Sequence, residues 1–187
     1  MPKDQPVQLP MQNSEVVFAG KIWDVVREQF AFGDQQLTRE FVKHPGAVAI
    51  LALNDRQEFL LIRQYRHPVK SYLWEIPAGL LDVAGESLRD AAERELLEET
   101  GYQAQTLTEL ASFYTTPGGN SELITVFLAE GLEHVGYSEE LEGEERDLQP
   151  SWVSVDAALE AVLKGDIRSP SAVVGIMAFA LKSRRAK

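Results

Sequence analysis

The chain begins with a dozen mostly polar residues punctuated by Pro2, Pro6 and Pro10, a pattern that predicts a loose tail. β-Branched and aromatic residues then dominate stretches 16–19, 22–32 and 36–42, and Gly33-Asp34 supplies a turn between the last two. Apolar runs at 47–53 and 59–65 predict a second hairpin across Asn54-Asp55-Arg56. Between 87 and 100 the spacing changes to a helical period, with Ser87 as the cap and Gly101 as the stop. Strand patterns return at 107–114, 123–129 and 152–155, and two helices close the chain at 157–163 and 171–181. These elements predict an α+β fold: a mixed sheet with helices packed on it, preceded by an N-terminal antiparallel β region that forms its own small sheet. The division expected is residues 1–45 for the tail and β region, and 46–187 for the main domain.

The 187 residues contain 44% hydrophobic and 25% charged positions, the balance of an ordinary globular protein. No apolar run is long enough for a membrane span, and the start lacks the apolar core of a signal peptide, so a soluble cytoplasmic chain is expected. The absence of cysteine removes disulfides, thiolate metal sites and thiol catalysis. Any metal must therefore be held by oxygen or imidazole.

Charge sharpens this picture. Residues 1–80 carry nine Lys/Arg and nine Asp/Glu, whereas residues 81–187 carry nine and twenty, so the net charge of -11 belongs to the second half. Six acids lie between Glu86 and Glu99 and six more between Glu139 and Asp147. A field of this sign opposes a nucleic-acid backbone and suits divalent cations.

On a helical wheel of 87–100, Leu88, Ala91, Ala92 and Leu96 mark the buried sector. Glu95 and Glu99 fall inside that sector, with Glu98 at its edge. Unpaired carboxylates are rarely buried, because the desolvation cost is several kcal/mol, and a bound cation would offset it. The alternative is a solvated acidic helix in which Asp90 and Glu98 pair with Arg94 at four-residue spacings.

The stretch Gly79-Leu80-Leu81-Asp82-Val83-Ala84-Gly85-Glu86, followed after seven residues by Arg94-Glu95-Leu96-Leu97-Glu98-Glu99-Thr100-Gly101-Tyr102, resembles the Nudix box of pyrophosphohydrolases. It departs from that pattern in one place, with six residues instead of five between Gly79 and Glu86. The resemblance implies a loop-helix-loop in an α/β/α sandwich, with Glu95, Glu98 and Glu99 holding Mg2+ or Mn2+ and the Ala78 carbonyl completing the set. It gives Arg94 a supporting ion-pair role and Glu86 a structural or outer-sphere one.

Residues outside the box bear on the substrate. Pro117, sixteen residues beyond Gly101, is similar in position to a marker of the ADP-ribose pyrophosphatase subgroup. Ile62-Arg63-Gln64-Tyr65-Arg66, Leu73 through Gly79, Thr38-Arg39-Glu40 and His44-Pro45-Gly46 resemble the same subgroup. Arg39, Arg63 and Arg66 are candidate pyrophosphate or ribose-phosphate binders, because guanidinium forks match phosphate oxygens. Strand alternation puts Arg63 on a face with Leu61, and Arg66 at the strand end near the box, which favours Arg66. Trp23 is a candidate stacking partner for the base, and Trp74 is expected in the core. The subgroup carries its general base on a loop after the strands that follow the box, which implies Glu144 or Glu145, with Glu98 as the alternative. Together these features imply Mg2+-dependent hydrolysis of ADP-ribose to AMP and ribose 5-phosphate by a homodimer. Another nucleoside diphosphate sugar such as GDP-mannose, or a nucleotide-sensing module that does not hydrolyse, are the competing readings.

Overall fold

A computed structural model describes residues 1–137 and 148–185. In chain order the strands are β1 (Met11–Ala19), β2 (Asp24–Phe32), β3 (Gln35–Lys43), β4 (Ala47–Ala52), β5 (Glu58–Arg66), β6 (Ser71–Glu75) and β7 (Ala78–Leu80). Helix α1 (Leu88–Thr100) is followed by β8 (Tyr102–Tyr114), β9 (Leu123–His134), β10 (Gln149–Ser154), α2 (Val155–Lys164) and α3 (Pro170–Arg185). Two compact units result: Met1–Pro45 with Tyr114–Glu122, and Gly46–Phe113 with Leu123–Lys187.

In the smaller unit, β1, β2 and β3 form an antiparallel sheet in that order. The β2–β3 hairpin keeps an unbroken register from Asp24↔Lys43 to Phe32↔Gln35 around Gly33-Asp34. β1 starts earlier than its apolar residues suggest, because pairing with β2 recruits Asn13, Ser14 and Glu15. Arg27 of β2 ties the strands together, reaching Glu15 of β1 at 3.2 Å and Glu40 of β3 at 2.6 Å.

The larger unit holds two sheets. One is mixed, in the order β7-β4-β9-β8, with β4 parallel to β9 and antiparallel to β7. The other is antiparallel, in the order β10-β5-β6. Alternation along β4 divides the core. Ala49 and Leu51 pack with Ala158, Ala172 and Ile176 of α2 and α3, while Val48 and Ile50 pack with Ala91, Ala92 and Leu96 of α1. Helices thus cover both sides, as expected of an α/β/α sandwich. Leu96 is fully buried, worth about 1.5–3 kcal/mol relative to exposure.

Stretches 47–53 and 59–65 do not form the expected hairpin. The tight turn exists, with Asn54 Oδ1 accepting the N–H groups of Arg56 and Glu58 at 2.9 and 3.0 Å. The strands on either side nevertheless enter different sheets, and the Leu53↔Phe59 bridge is the strand pairing between them among the described residues. The reason lies in their composition. Every residue of β4 is buried, as are Phe59 through Ile62 of β5, so each strand has apolar side chains to cover on both faces. The short strands β6 and β7, separated by Ile76 and Pro77, have too few residues to show a period in the sequence.

Candidate active site

Helix α1 is specified locally at both ends. Ser87 Oγ accepts the Asp90 N–H at 3.1 Å, a cap worth about 1 kcal/mol. Gly101 (φ 72°) closes the helix, its N–H donating to the Leu97 carbonyl at 2.8 Å. Ala91, Ala92, Leu96 and Glu99 are buried as the wheel predicts. Leu88, the first residue of the helix, is 37% exposed and departs from the buried sector of the wheel.

The acids of this helix meet the preceding strand. Glu99 is 6% exposed, and its Oε2 accepts the Ala78 N–H at 2.9 Å. Gly79 is where Glu95 lies against β7: a Cβ there would stand 1.9 Å from the Glu95 carboxyl carbon. Only glycine admits the carboxylate at that spot.

Arg94 joins three acids, Glu86, Glu95 and Glu98. Its Nε and Nη2 donate to the two oxygens of Glu86 at 2.9 and 3.0 Å, and its Nη1 donates to Glu95 at 2.6 Å and Glu98 at 3.0 Å. The Glu86 hydrogen bond, reinforced by Glu95 and Glu98, pushes the Arg94 pKa further above its usual value against the opposing effect of burial. In turn the Arg94 fork holds Glu86 below the ordinary carboxylate range. The Glu98 pairing expected of a solvated helix is therefore present, but within a half-buried network that also includes Glu86 and Glu95.

The donor chemistry fits a hard divalent cation. Among the described residues no three His, Cys, Asp or Glu side chains converge on one point as they stand. The glycine cradle at Gly79 nonetheless brings the Glu95 carboxylate to the strand whose Ala78 amide binds Glu99, and every donor offered is an oxygen.

Two arginines of β5 diverge. Arg66 forms a two-point ion pair with Glu75 of β6, Nε to Oε1 at 3.0 Å and Nη2 to Oε2 at 2.9 Å, and Glu75 is 5% exposed. Glu75 is paired in register with Ile62, on the same strand face as Leu60, which packs against α1. Arg63 points to the other face and stacks on Tyr72, 4.5 Å from the ring centre. Trp74 packs against the core cluster of α2 and α3.

In the smaller unit, Arg39 and Pro117 line one cleft of about 400 Å³ together with Glu28, Phe41 and Asn120. Arg39 Nη1 donates to its neighbouring Thr38 carbonyl at 2.8 Å. Trp23 stacks on His44. Glu144 and Glu145 lie outside the described residues. Glu75, His44 and Glu122 were not among the sequence candidates. An acid set between Trp74 and Ile76 in an apolar strand was the available signal for Glu75, whereas the His44–Glu122 pair joins distant segments with no local signature.

The NUDIX domain model matches residues 43–172. The chain is 42% identical to an ADP-ribose pyrophosphatase of Mycobacterium tuberculosis, over 89% of this chain and 80% of that protein. It is 38% identical to an ADP-ribose pyrophosphatase of Bacillus subtilis, over 90% of each. A crystal structure of an ADP compounds hydrolase shares the fold at a TM-score of 0.72, with 24% identity, covering 97% of this chain and 98% of the other. The acidic helix capped by Ser87, the glycine cradle before it and the family match agree: this chain belongs to the Nudix family of hydrolases.

Proposed function

We propose that the protein hydrolyses the pyrophosphate bond of ADP-ribose, giving AMP and ribose 5-phosphate, with Mg2+ as its metal and Mn2+ as a substitute. The observation that carries the reaction class is the buried Glu99 carboxylate tied to Ala78, beside a Glu95 that only Gly79 admits. The choice of ADP-ribose is supported by the likeness to the two ADP-ribose pyrophosphatases, 42% and 38% identical over 89% and 90% of this chain.

Glu95, Glu98 and Glu99, with the Ala78 carbonyl, would hold the metal. When bound, it supplies positive charge that neutralises the phosphates and lowers the pKa of water. Arg94 restrains Glu95 and Glu98, and Glu86 anchors Arg94, which limits how far those two carboxylates would have to move to meet the metal. Glu75 holds Arg66 as a fixed cation for a phosphate oxygen, with Arg39 and Arg63 as further phosphate or ribose contacts. Trp23 takes the base, and Pro117 shapes the cleft that contains Arg39. Glu144 or Glu145 removes a proton from the attacking water, with Glu98 as the alternative base. The water oxygen forms a new bond to phosphorus, and the bridging oxygen leaves with the other phosphate.

The same reading includes a homodimer formed through residues 1–45. All nine residues of β1 are exposed, it is an edge strand, and it presents Val16, Val17 and Phe18. Sedimentation should show a dimer at micromolar concentration, and an active monomer would refute it.

The deciding experiment is a substrate panel with Mg2+ that includes ADP-ribose, GDP-mannose and other nucleoside diphosphate sugars, with both products quantified. ADP-ribose should give the highest kcat/KM, with AMP and ribose 5-phosphate released in equal amounts. Preference for GDP-mannose would reassign the substrate, and no hydrolysis of any compound would leave the nucleotide-sensing reading.

A further inference from the structure

The smaller unit contains an aromatic stack that the metal chemistry does not use. The rings of Trp23 and His44 lie 4.4 Å apart and 22° from parallel, and the His44 side chain is only 3% exposed. Its Nε2 meets Glu122 Oε1 at 3.1 Å, and Glu122 Oε2 accepts from Thr115 Oγ1 at 2.6 Å. The His44 backbone N–H donates to Ser121 Oγ at 2.9 Å, so both the ring and the main chain of His44 are anchored on segment 115–122.

Trp23 is fixed from its other end. Gly20 N–H donates to the Trp23 carbonyl at 3.0 Å, and a Cβ at Gly20 would stand 2.2 Å from that oxygen. The turn into β2 is thus closed tightly, and its last residue presents an indole with one face covered by imidazole. Even so, Trp23 keeps 37% of its surface exposed. An indole held in one orientation offers a flat aromatic surface, and a planar ring is the group that stacks on it best.

We propose that His44, clamped by Glu122, is a positioning residue that holds the Trp23 indole as a flat shelf for the purine base of the substrate. This rests on the base-binding role given to Trp23 above. His44 touches neither substrate nor metal in this arrangement, and acts by keeping Trp23 in one orientation. A purine presents more ring area to the indole than a pyrimidine, so the shelf also sets base preference.

The test uses AMP as the probe of the shelf and inorganic pyrophosphate as a probe that has no base. AMP should quench tryptophan emission in the wild type and not in Trp23→Phe. His44→Ala should weaken AMP binding and raise the KM for ADP-ribose by about tenfold, the scale of losing a base stack, while kcat changes less than about twofold. Inhibition by pyrophosphate should be unchanged. Glu122→Gln, which keeps a hydrogen-bonding partner for His44, should bind AMP nearly as the wild type does, whereas Glu122→Leu should not. Equal weakening of AMP and pyrophosphate in His44→Ala would mark His44 as a residue of the fold alone and overturn the proposal. Should His44→Ala fail to fold by circular dichroism, Glu122→Leu decides, and wild-type AMP affinity in that variant overturns it. Hydrolysis of ADP-ribose without quenching by AMP removes the shelf and leaves the enzyme, whereas quenching without hydrolysis removes the proposed reaction and leaves the shelf.

Discussion

The Ala78 amide donates to the Glu99 carboxylate at 2.9 Å, joining β7 to the last turn of α1. The bond fixes one of the least exposed acids among the described residues beside the carbonyl proposed as its fellow ligand. Glu99→Gln keeps a hydrogen-bond acceptor for Ala78 and removes only the charge. Turnover should fall at least about a hundredfold, the scale of losing a group that stabilises transition-state charge. Circular dichroism should be unchanged, and metal titration should show weakened binding. Near-normal turnover at saturating Mg2+ would take Glu99 out of the ligand set.

Gly79→Ala tests the cradle. The added methyl meets the end of a flexible side chain, so Glu95 can swing away at little cost in stability. The melting temperature should shift by no more than about 4 °C, corresponding to under about 1 kcal/mol. The Mg2+ concentration for half-maximal rate should rise about tenfold or more, the range for disturbed ligand support. Unchanged metal dependence would show that Glu95 needs no such approach.

Glu144→Gln and Glu145→Gln bear on the general base. One of them should lower turnover by about two to four orders of magnitude with little change in metal or substrate affinity, and the two should be unequal. If neither substitution nor the double variant slows the reaction, Glu98 becomes the candidate.

Burial pushes the His44 pKa below its usual 6.5, with Glu122 opposing the shift only in part. The folded state therefore binds the proton less readily than the unfolded chain does. The stability contributed by neutral His44 is complete above about pH 6.5 and is lost as pH falls toward the lower folded-state value. Thermal denaturation should show a decline below pH 6.5 that is reduced in His44→Phe. An equal decline in both proteins would assign the pH dependence to other groups.

Helix α1 was legible in the sequence because everything that defines it is local: a hydroxyl cap, a helical period, a glycine stop, and acids whose place in the buried sector can be counted. The smaller sheet was legible for a similar reason, since Gly33-Asp34 fixes the β2–β3 register. The paths of β4 and β5 were not, because a short turn followed by an apolar run looks the same whether the chain folds back or crosses to another sheet. The Arg66–Glu75 pair was half legible. Arg66 drew attention through its position, but its partner lies on the neighbouring strand β6, and only strand register brings them together. Pairing of His44 with Glu122 depends on how segment 115–122 returns beside β3, which no window of neighbouring residues encodes.

The crossing at Asn54 also governs the order in which the molecule can be built. Ala47 pairs with Ile124 and Arg63 with Gln149, so the two most apolar strands leave the ribosome long before those partners exist. Until then β4 has only the short β7 beside it, and β5 only β6. Closure of both sheets waits on β9 and β10, far along the chain from β4 and β5, a topology rich in distant pairings that slows folding. During synthesis the protein therefore carries its stickiest segments with one edge of each unpaired, and this interval is when aggregation and chaperone capture compete with the native state.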